Sequence, residues 1–172
     1  MDPKSQEESN QTPMSKRFTA DSKATAALQN TKKLSEVDES DFAAIFFPGG
    51  HGPLWDLAND SKVFWLIEKF RGASKPIAAV CHGPAVFKNT PSVVKGFKVT
   101  GFTNSEEAAV GLEKIVPFSV QDMLKANGGN YLSGPDWAPY VVTDNNSLLI
   151  TGQNPASSEP VAKELIKKLK KQ

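Results

Sequence analysis

The one cysteine of this chain, Cys81, stands beside one of its two histidines, His82. The segment Ala79-Val-Cys-His-Gly83 joins an apolar run to helix-compatible sequence, with a small residue two before and two after the cysteine. That spacing suits a nucleophile elbow, where a sharp, strained turn needs small neighbours so that the central side chain projects from the top of a sheet. A thiol at a helix start meets free N–H groups and the positive end of the dipole. Its pKa is therefore expected to fall and its thiolate fraction to rise. On residue type alone a lone cysteine is more often a small buried hydrophobe. The following His82-Gly83-Pro84 and the small-residue spacing reverse that preference and give the adjacent imidazole a catalytic part.

Two further groups fall on the same rim. Pro48-Gly-Gly-His-Gly-Pro53 follows an apolar run, and its glycines allow backbone N–H groups to approach a ligand and form an oxyanion hole; a plain glycine turn is the competing reading. Glu106 and Glu107 follow another strand-like segment, where a carboxylate can orient a histidine. Two glutamates at a helix N-terminus are equally ordinary dipole partners, and from the residues alone that reading wins.

These groups need a scaffold. Phe42-Ala-Ala-Ile-Phe-Phe47 is a continuous apolar run ended by proline and two glycines, the pattern of a strand covered on both faces. Leu54 to Phe70 reads as a helix, Pro76 to Val80 as a second strand, and Gly96 to Thr100 as a third, with a helix begun at His82-Gly-Pro-Ala between the last two. Ser105 to Gly111 and Pro117 to Ala126 are expected helices, the second with proline in its first turn. Tyr140 to Val142 and Ser147 to Thr151 flank Asp144-Asn-Asn146 as a hairpin, and Pro160 to Lys171 closes the chain as an amphipathic helix. Residues 1–35 are a polar N-terminal arm and helix, the helix over Phe18 to Leu34 with Thr19 or Asp21 as its cap and Met1 to Gln11 as the arm; residues 36–172 form one α/β domain. Strands alternating with helices predict a mostly parallel sheet sandwiched between helices, with the site at the carboxyl ends of the strands.

Composition narrows the chemistry. Lys plus Arg number 20 and Asp plus Glu 19, so there is no electrostatic footprint for nucleic acid or an anionic membrane, and a small, weakly charged partner is expected. The lysines of the last helix suit its C-terminus and solvated face. No run approaches the ~20 apolar residues of a membrane span, and no secretory signal opens the chain, which makes the cytoplasm the default address. One cysteine with two histidines is a poor donor set for structural zinc, so no metal is expected.

Four segments together, Phe46-Phe-Pro-Gly-Gly-His-Gly-Pro-Leu-Trp-Asp-Leu57, Ala79-Val-Cys-His-Gly-Pro84, Thr100-Gly-Phe-Thr-Asn-Ser-Glu-Glu107 and Thr151-Gly-Gln-Asn-Pro-Ala-Ser157, resemble the DJ-one/PfpI superfamily. Within it they look like the branch of heat-inducible chaperones and glutathione-independent glyoxalase III enzymes. The resemblance implies a flavodoxin-like fold shared with class I glutamine amidotransferases. It makes Cys81 the nucleophile, His82 its partner and Glu107 the acid of a triad, with Gly49, Gly50, His51 and Gly83 as the oxyanion and substrate-binding set. It implies conversion of a small aldehyde, methylglyoxal, to lactate through a Cys81 hemithioacetal with no metal, glutathione or nicotinamide, and a homodimer. Members of that superfamily begin with a strand, a helix and a strand ahead of the part matched by Asp2-Pro-Lys-Ser, and a glutamate there touches the cysteine. The sequence has no residue for that glutamate, so impaired proton handling is one expectation. Two alternatives stay open: a non-catalytic holdase for unfolded clients with Cys81 as redox sensor, and a cysteine amidase or peptidase.

Overall fold

The computed structural model describes residues 7, 8, 11–146 and 148–171. Most of the expected N-terminal arm, and Ser147 of the expected hairpin, lie outside the described residues. The chain divides after Val37 into two compact units.

In the first unit the expected single helix is two, α1 (Pro13–Ala20) and α2 (Ser22–Gln29). Thr12 and Ser15 form a reciprocal capping box that starts α1 ahead of Phe18, and proline occupies its first turn. Asp21 breaks the run because its carboxylate accepts the N–H groups of Lys23 and Ala24, capping α2. Local side-chain caps thus override the continuous pattern. A 3-10 turn follows at Leu34–Glu36.

The second unit carries the sheet. Strand β1 (Ile45–Phe47) pairs in parallel with β2 (Ile77–Val80), β2 pairs in parallel with β6 (Leu149–Gly152), and β5 (Val141–Asp144) closes the far edge antiparallel to β6. The order is β1-β2-β6-β5. Every residue of β2 and β6 is buried, as the unbroken apolar run of β2 requires of a strand covered on both faces, whereas β1, expected over Phe42 to Phe47, is shorter and leaves Ile45 and Phe46 only partly covered. The β5–β6 hairpin forms where expected, its turn carried by Asn145 and Asn146 in the left-handed conformation that asparagine tolerates. The expected third strand shrinks to β3 (Lys98–Val99), which pairs in parallel with β4 (Asn130–Tyr131) in a separate two-stranded sheet. Within and just past β3 the link to the main sheet passes through side chains: Lys98 N–H donates to Asp144 Oδ2 at 2.6 Å and Thr100 N–H to Thr151 Oγ1 at 2.9 Å.

Helices cover this frame. Helix α3 (Ser61–Gly72) starts behind the Asp60 cap and not at Leu54, because residues 52–54 and 57–59 wind as separate 3-10 turns. Its buried stripe is Val63, Leu66, Ile67 and Phe70, an i, i+3, i+4, i+7 set. Helices α4 (Asn104–Ala109), α5 (Val120–Ala126) and α6 (Ser158–Leu169) complete the set. Pro117 lies outside α5, whose cap is Ser119. The helix expected after the cysteine is only a buried 3-10 segment, Gly83–Phe87. The fold is the expected mostly parallel sheet flanked by helices.

Candidate active site

The registers of the sheet put the site together. Phe47 lies opposite Ala79 and Val80 opposite Gly152, so the chain leaves β1, β2 and β6 at one common edge. Residues 48–51, 81–83 and 153–154 emerge there side by side, at the carboxyl ends of parallel strands.

Cys81 turns the chain with φ 61°, a left-handed conformation that costs a non-glycine residue on the order of 1 kcal/mol or more. The strain is locked by bonds on both sides: Cys81 N–H donates to Gly152 O at 2.9 Å, and Phe102 N–H donates to Cys81 O at 3.0 Å. Two glycines make room for the turn. A Cβ on Gly49 would sit 2.6 Å from Cys81 Cβ, and one on Gly83 would sit 2.3 Å from Phe47 O. Gly83 thus lies where the segment after the elbow crosses the β1 backbone. Gly50 has φ 94° and open space over its Cα.

From that elbow runs a chain of contacts. Cys81 Sγ is 3.3 Å from His82 Nδ1, and His82 Nε2 is 2.7 Å from Glu107 Oε2. The other carboxylate oxygen, Oε1, lies 2.8 Å from His51 Nε2. The imidazoles of His51 and His82 overlap with centroids 3.9 Å apart, and Phe102 closes the far side of His82 at 4.3 Å. His82 is 1% exposed, Glu107 6% and Cys81 7%, whereas a third of the His51 side chain reaches the outside. Assigning both Nε2 protons as donors to the single carboxylate leaves each Nδ1 with a free lone pair, that of His82 facing the sulfur.

The electrostatics correct one expectation. Burial pushes the Cys81 thiol up, to about 12 from its ordinary 9.0, against the smaller lowering effect of the Gly50 and His82 backbone N–H groups. A five-residue 3-10 segment supplies no macrodipole large enough to oppose desolvation, and Glu106 and Glu107 add negative charge nearby. Burial likewise lowers the His82 pKa, outweighing its hydrogen bond to Glu107, so the imidazole is neutral near pH 7. The resting pair is a thiol facing a neutral base.

Glu106, read from sequence as an ordinary dipole partner, is fully buried. Its Oε1 accepts from Trp137 N–H (2.9 Å), Asn154 Nδ2 (2.8 Å) and Gln153 Nε2 (3.2 Å), and its Oε2 from Thr103 N–H (3.1 Å) and Thr103 Oγ1 (3.0 Å). Burial acts to raise its pKa, but these donors outweigh it and hold the carboxyl below its ordinary 4.5. The carboxylate ties α4, the 134–138 loop and the end of β6 together behind Glu107. Trp137 is held with φ 64°, its indole edge-on to Phe102 at 5.9 Å. The only sequence signal for this hub was the capping spacing of Thr103 and Glu106.

His51, His82 and Glu107 bring ligand atoms within 4.8 Å of one another, the one such cluster among the described residues. Its nitrogens already face the carboxylate at 2.7–2.8 Å, so a cation would have to replace both hydrogen bonds. A cavity of about 350 Å³ is lined by Glu107 together with Ala108, Val116, Phe118, Ser119 and Asp122 among others.

Residues 14–168 match the DJ-1/PfpI family. The chain belongs to that family. It is 32% identical over 152 residues to Glyoxalase 3 of Candida albicans, covering 81% of this chain and 63% of that protein. It is 33% identical over 162 residues to the glutathione-independent glyoxalase HSP31 of Saccharomyces cerevisiae, covering 87% of this chain and 67% of that one. Among solved structures, the glyoxalase III crystal structure from Candida albicans superposes with a TM-score of 0.87 at 28% identity, over 96% of this chain and 74% of the other. The chain therefore spans roughly two thirds of the length of the relatives it matches by sequence. Among the described residues no helix is long and apolar enough to cross a membrane.

Proposed function

We propose that this chain is a glutathione-independent glyoxalase acting on methylglyoxal and related 2-oxoaldehydes, with Cys81 as nucleophile. The observation that carries the reading is the relay from Cys81 Sγ through His82 to Glu107 on a strained elbow, with contacts of 3.3 and 2.7 Å. The names of the relatives support the substrate class.

In this mechanism His82 Nδ1 takes the thiol proton as sulfur attacks the aldehyde carbon C1, and Glu107 stabilises the imidazolium as it forms. Coupling proton loss to bond formation avoids populating a free thiolate, which burial disfavours. The oxyanion forms beside the Gly50 and His82 N–H groups and takes the proton from His82, giving the hemithioacetal. Removal of the C1 hydrogen as a proton gives an enediolate, the C1 hydroxyl proton passes to the C2 oxygen, and protonation at C2 gives a 2-hydroxy thioester; carbon C1 is oxidised as C2 is reduced. Water then releases the hydroxy acid and returns the thiol. The sum is methylglyoxal plus water to lactate, without an external redox partner.

Purified protein should form lactate from methylglyoxal without glutathione, and Cys81→Ala should abolish it. Equal lactate formation by the variant would eliminate the mechanism.

A further inference from the structure

The relay above uses one imidazole, yet Glu107 holds two. Its Oε2 orients His82 inward and its Oε1 orients His51 outward, at 2.7 and 2.8 Å. One buried carboxylate therefore fixes the tautomers of two bases aimed differently. His82 is sealed, with its nitrogens occupied by Cys81 and Glu107. His51 Nδ1 has no protein partner among the described residues, and the ring is a third exposed. The chain between His51 and the sulfur is short: Gly50 N–H reaches Cys81 Sγ, and the His51 ring packs, tilted by 39°, against the ring that contacts that sulfur.

We propose that His51 is a second catalytic base, the group that carries the proton between C1 and C2 of the Cys81 adduct. The inference rests on the glyoxalase reading and deepens it. That reaction moves protons of two kinds, those passed among sulfur and the two oxygens and one carried between two carbons, and a single sealed imidazole touching sulfur is not placed for the carbon-to-carbon transfer. His51 Nδ1 accepts the C1 proton, Glu107 stabilises the imidazolium through Nε2–H, and the same nitrogen returns the proton to C2. No net charge is left on the ring. The arrangement also explains why position 51 is a histidine joined to the triad acid and not simply a residue lining an opening.

The test uses His51→Ala and His51→Gln with methylglyoxal as substrate. Glutamine preserves an N–H donor for Glu107 but has no basic nitrogen, so both variants should lose about 10²- to 10⁴-fold in lactate turnover, the usual size of a general-base contribution. Alkylation of Cys81 by iodoacetamide should stay within about threefold of the parent rate. Added imidazole should restore part of the activity of His51→Ala and none of that of His51→Ala/Cys81→Ser. Turnover within threefold of the parent in either variant overturns the proposal. So does a loss that imidazole does not rescue, or one matched by an equal loss of alkylation, since either makes His51 a structural residue. Absence of lactate from the parent protein removes the glyoxalase reading and this inference together.

Discussion

Replacing Glu106 by glutamine isolates the buried carboxylate network beside Glu107. The carboxylate accepts five hydrogen bonds, three at Oε1 and two at Oε2. A glutamine can keep its oxygen at the Oε1 position, facing Trp137, Gln153 and Asn154, but its NH₂ then points at the Thr103 N–H. Thr103 Oγ1 can rotate to accept; its backbone N–H cannot, and a buried donor left unpaired costs about 1–3 kcal/mol. The three retained bonds also lose their charge assistance, about 1 kcal/mol each before the smaller desolvation cost of a neutral amide is credited. A loss of about 3–5 kcal/mol is expected, measured by urea denaturation at pH 7. The pH dependence carries a definite sign. The folded carboxyl titrates below its ordinary 4.5, so its contribution is present above that value and is lost as pH falls through the folded pKa. The gap between wild type and variant must therefore narrow from pH 5 towards pH 3. A difference under about 1 kcal/mol at pH 7, or a gap constant across that acid range, would refute the claim that Glu106 is a charged hub.

Three further outcomes follow from the same geometry. Gly49→Ala places a Cβ 2.6 Å from Cys81 Cβ and 3.2 Å from its sulfur, so lactate formation should fall at least about 100-fold through a displaced nucleophile; undiminished kcat would show that the elbow yields freely. The Cys81 thiol titrates near 9.0 unfolded and about 12 folded, so from pH 9 to 12 the native state keeps a proton that the unfolded chain releases, and stability drops by about 1.4 kcal/mol per pH unit. Cys81→Ser should remove that alkaline slope, leaving the share of Tyr131, whose phenol burial also pushes up; parallel curves for the two proteins would disprove the buried neutral thiol. Glu107→Gln should lower turnover about 100-fold or more by unseating both imidazoles while removing one charge that disfavours the thiolate, so that alkylation of Cys81 does not fall in step; equal losses in both assays would count against the division of roles.

The elbow could be read because its requirements are local. Ala79 and Gly83 show as small neighbours within five consecutive residues, although what Gly83 makes room for is the distant Phe47 carbonyl, and the apolar run of β2 declares burial on both faces, whereas β1 leaves Ile45 and Phe46 only partly covered. In the N-terminal segment Asp21, one of the two caps offered, does start α2, but the helix ahead of it, α1 behind the Thr12 cap, was missed and α2 ends at Gln29 and not near Leu34. What could not be read was decided by distant partners. Glu106 is a buried hub because residues 137, 153 and 154 return to it, and nothing near position 106 announces them. Strand β4 is two residues long, Asn130–Tyr131, and too polar to show a pattern. The direction of the thiol pKa turned on burial by the whole fold and on a following helix that proved to be a 3-10 segment. Resemblance supplied Glu107, and the fold adds that its carboxylate meets His51 as well as His82.

The most direct test is to watch carbon meet sulfur. Methylglyoxal labelled with ¹³C at the aldehyde carbon, added to the protein without glutathione, should give the NMR resonance of an enzyme-bound hemithioacetal in the parent protein and in His51→Ala, but none in Cys81→Ala. Label reaching lactate with no adduct at Cys81, or the same adduct signal in Cys81→Ala, would contradict the account.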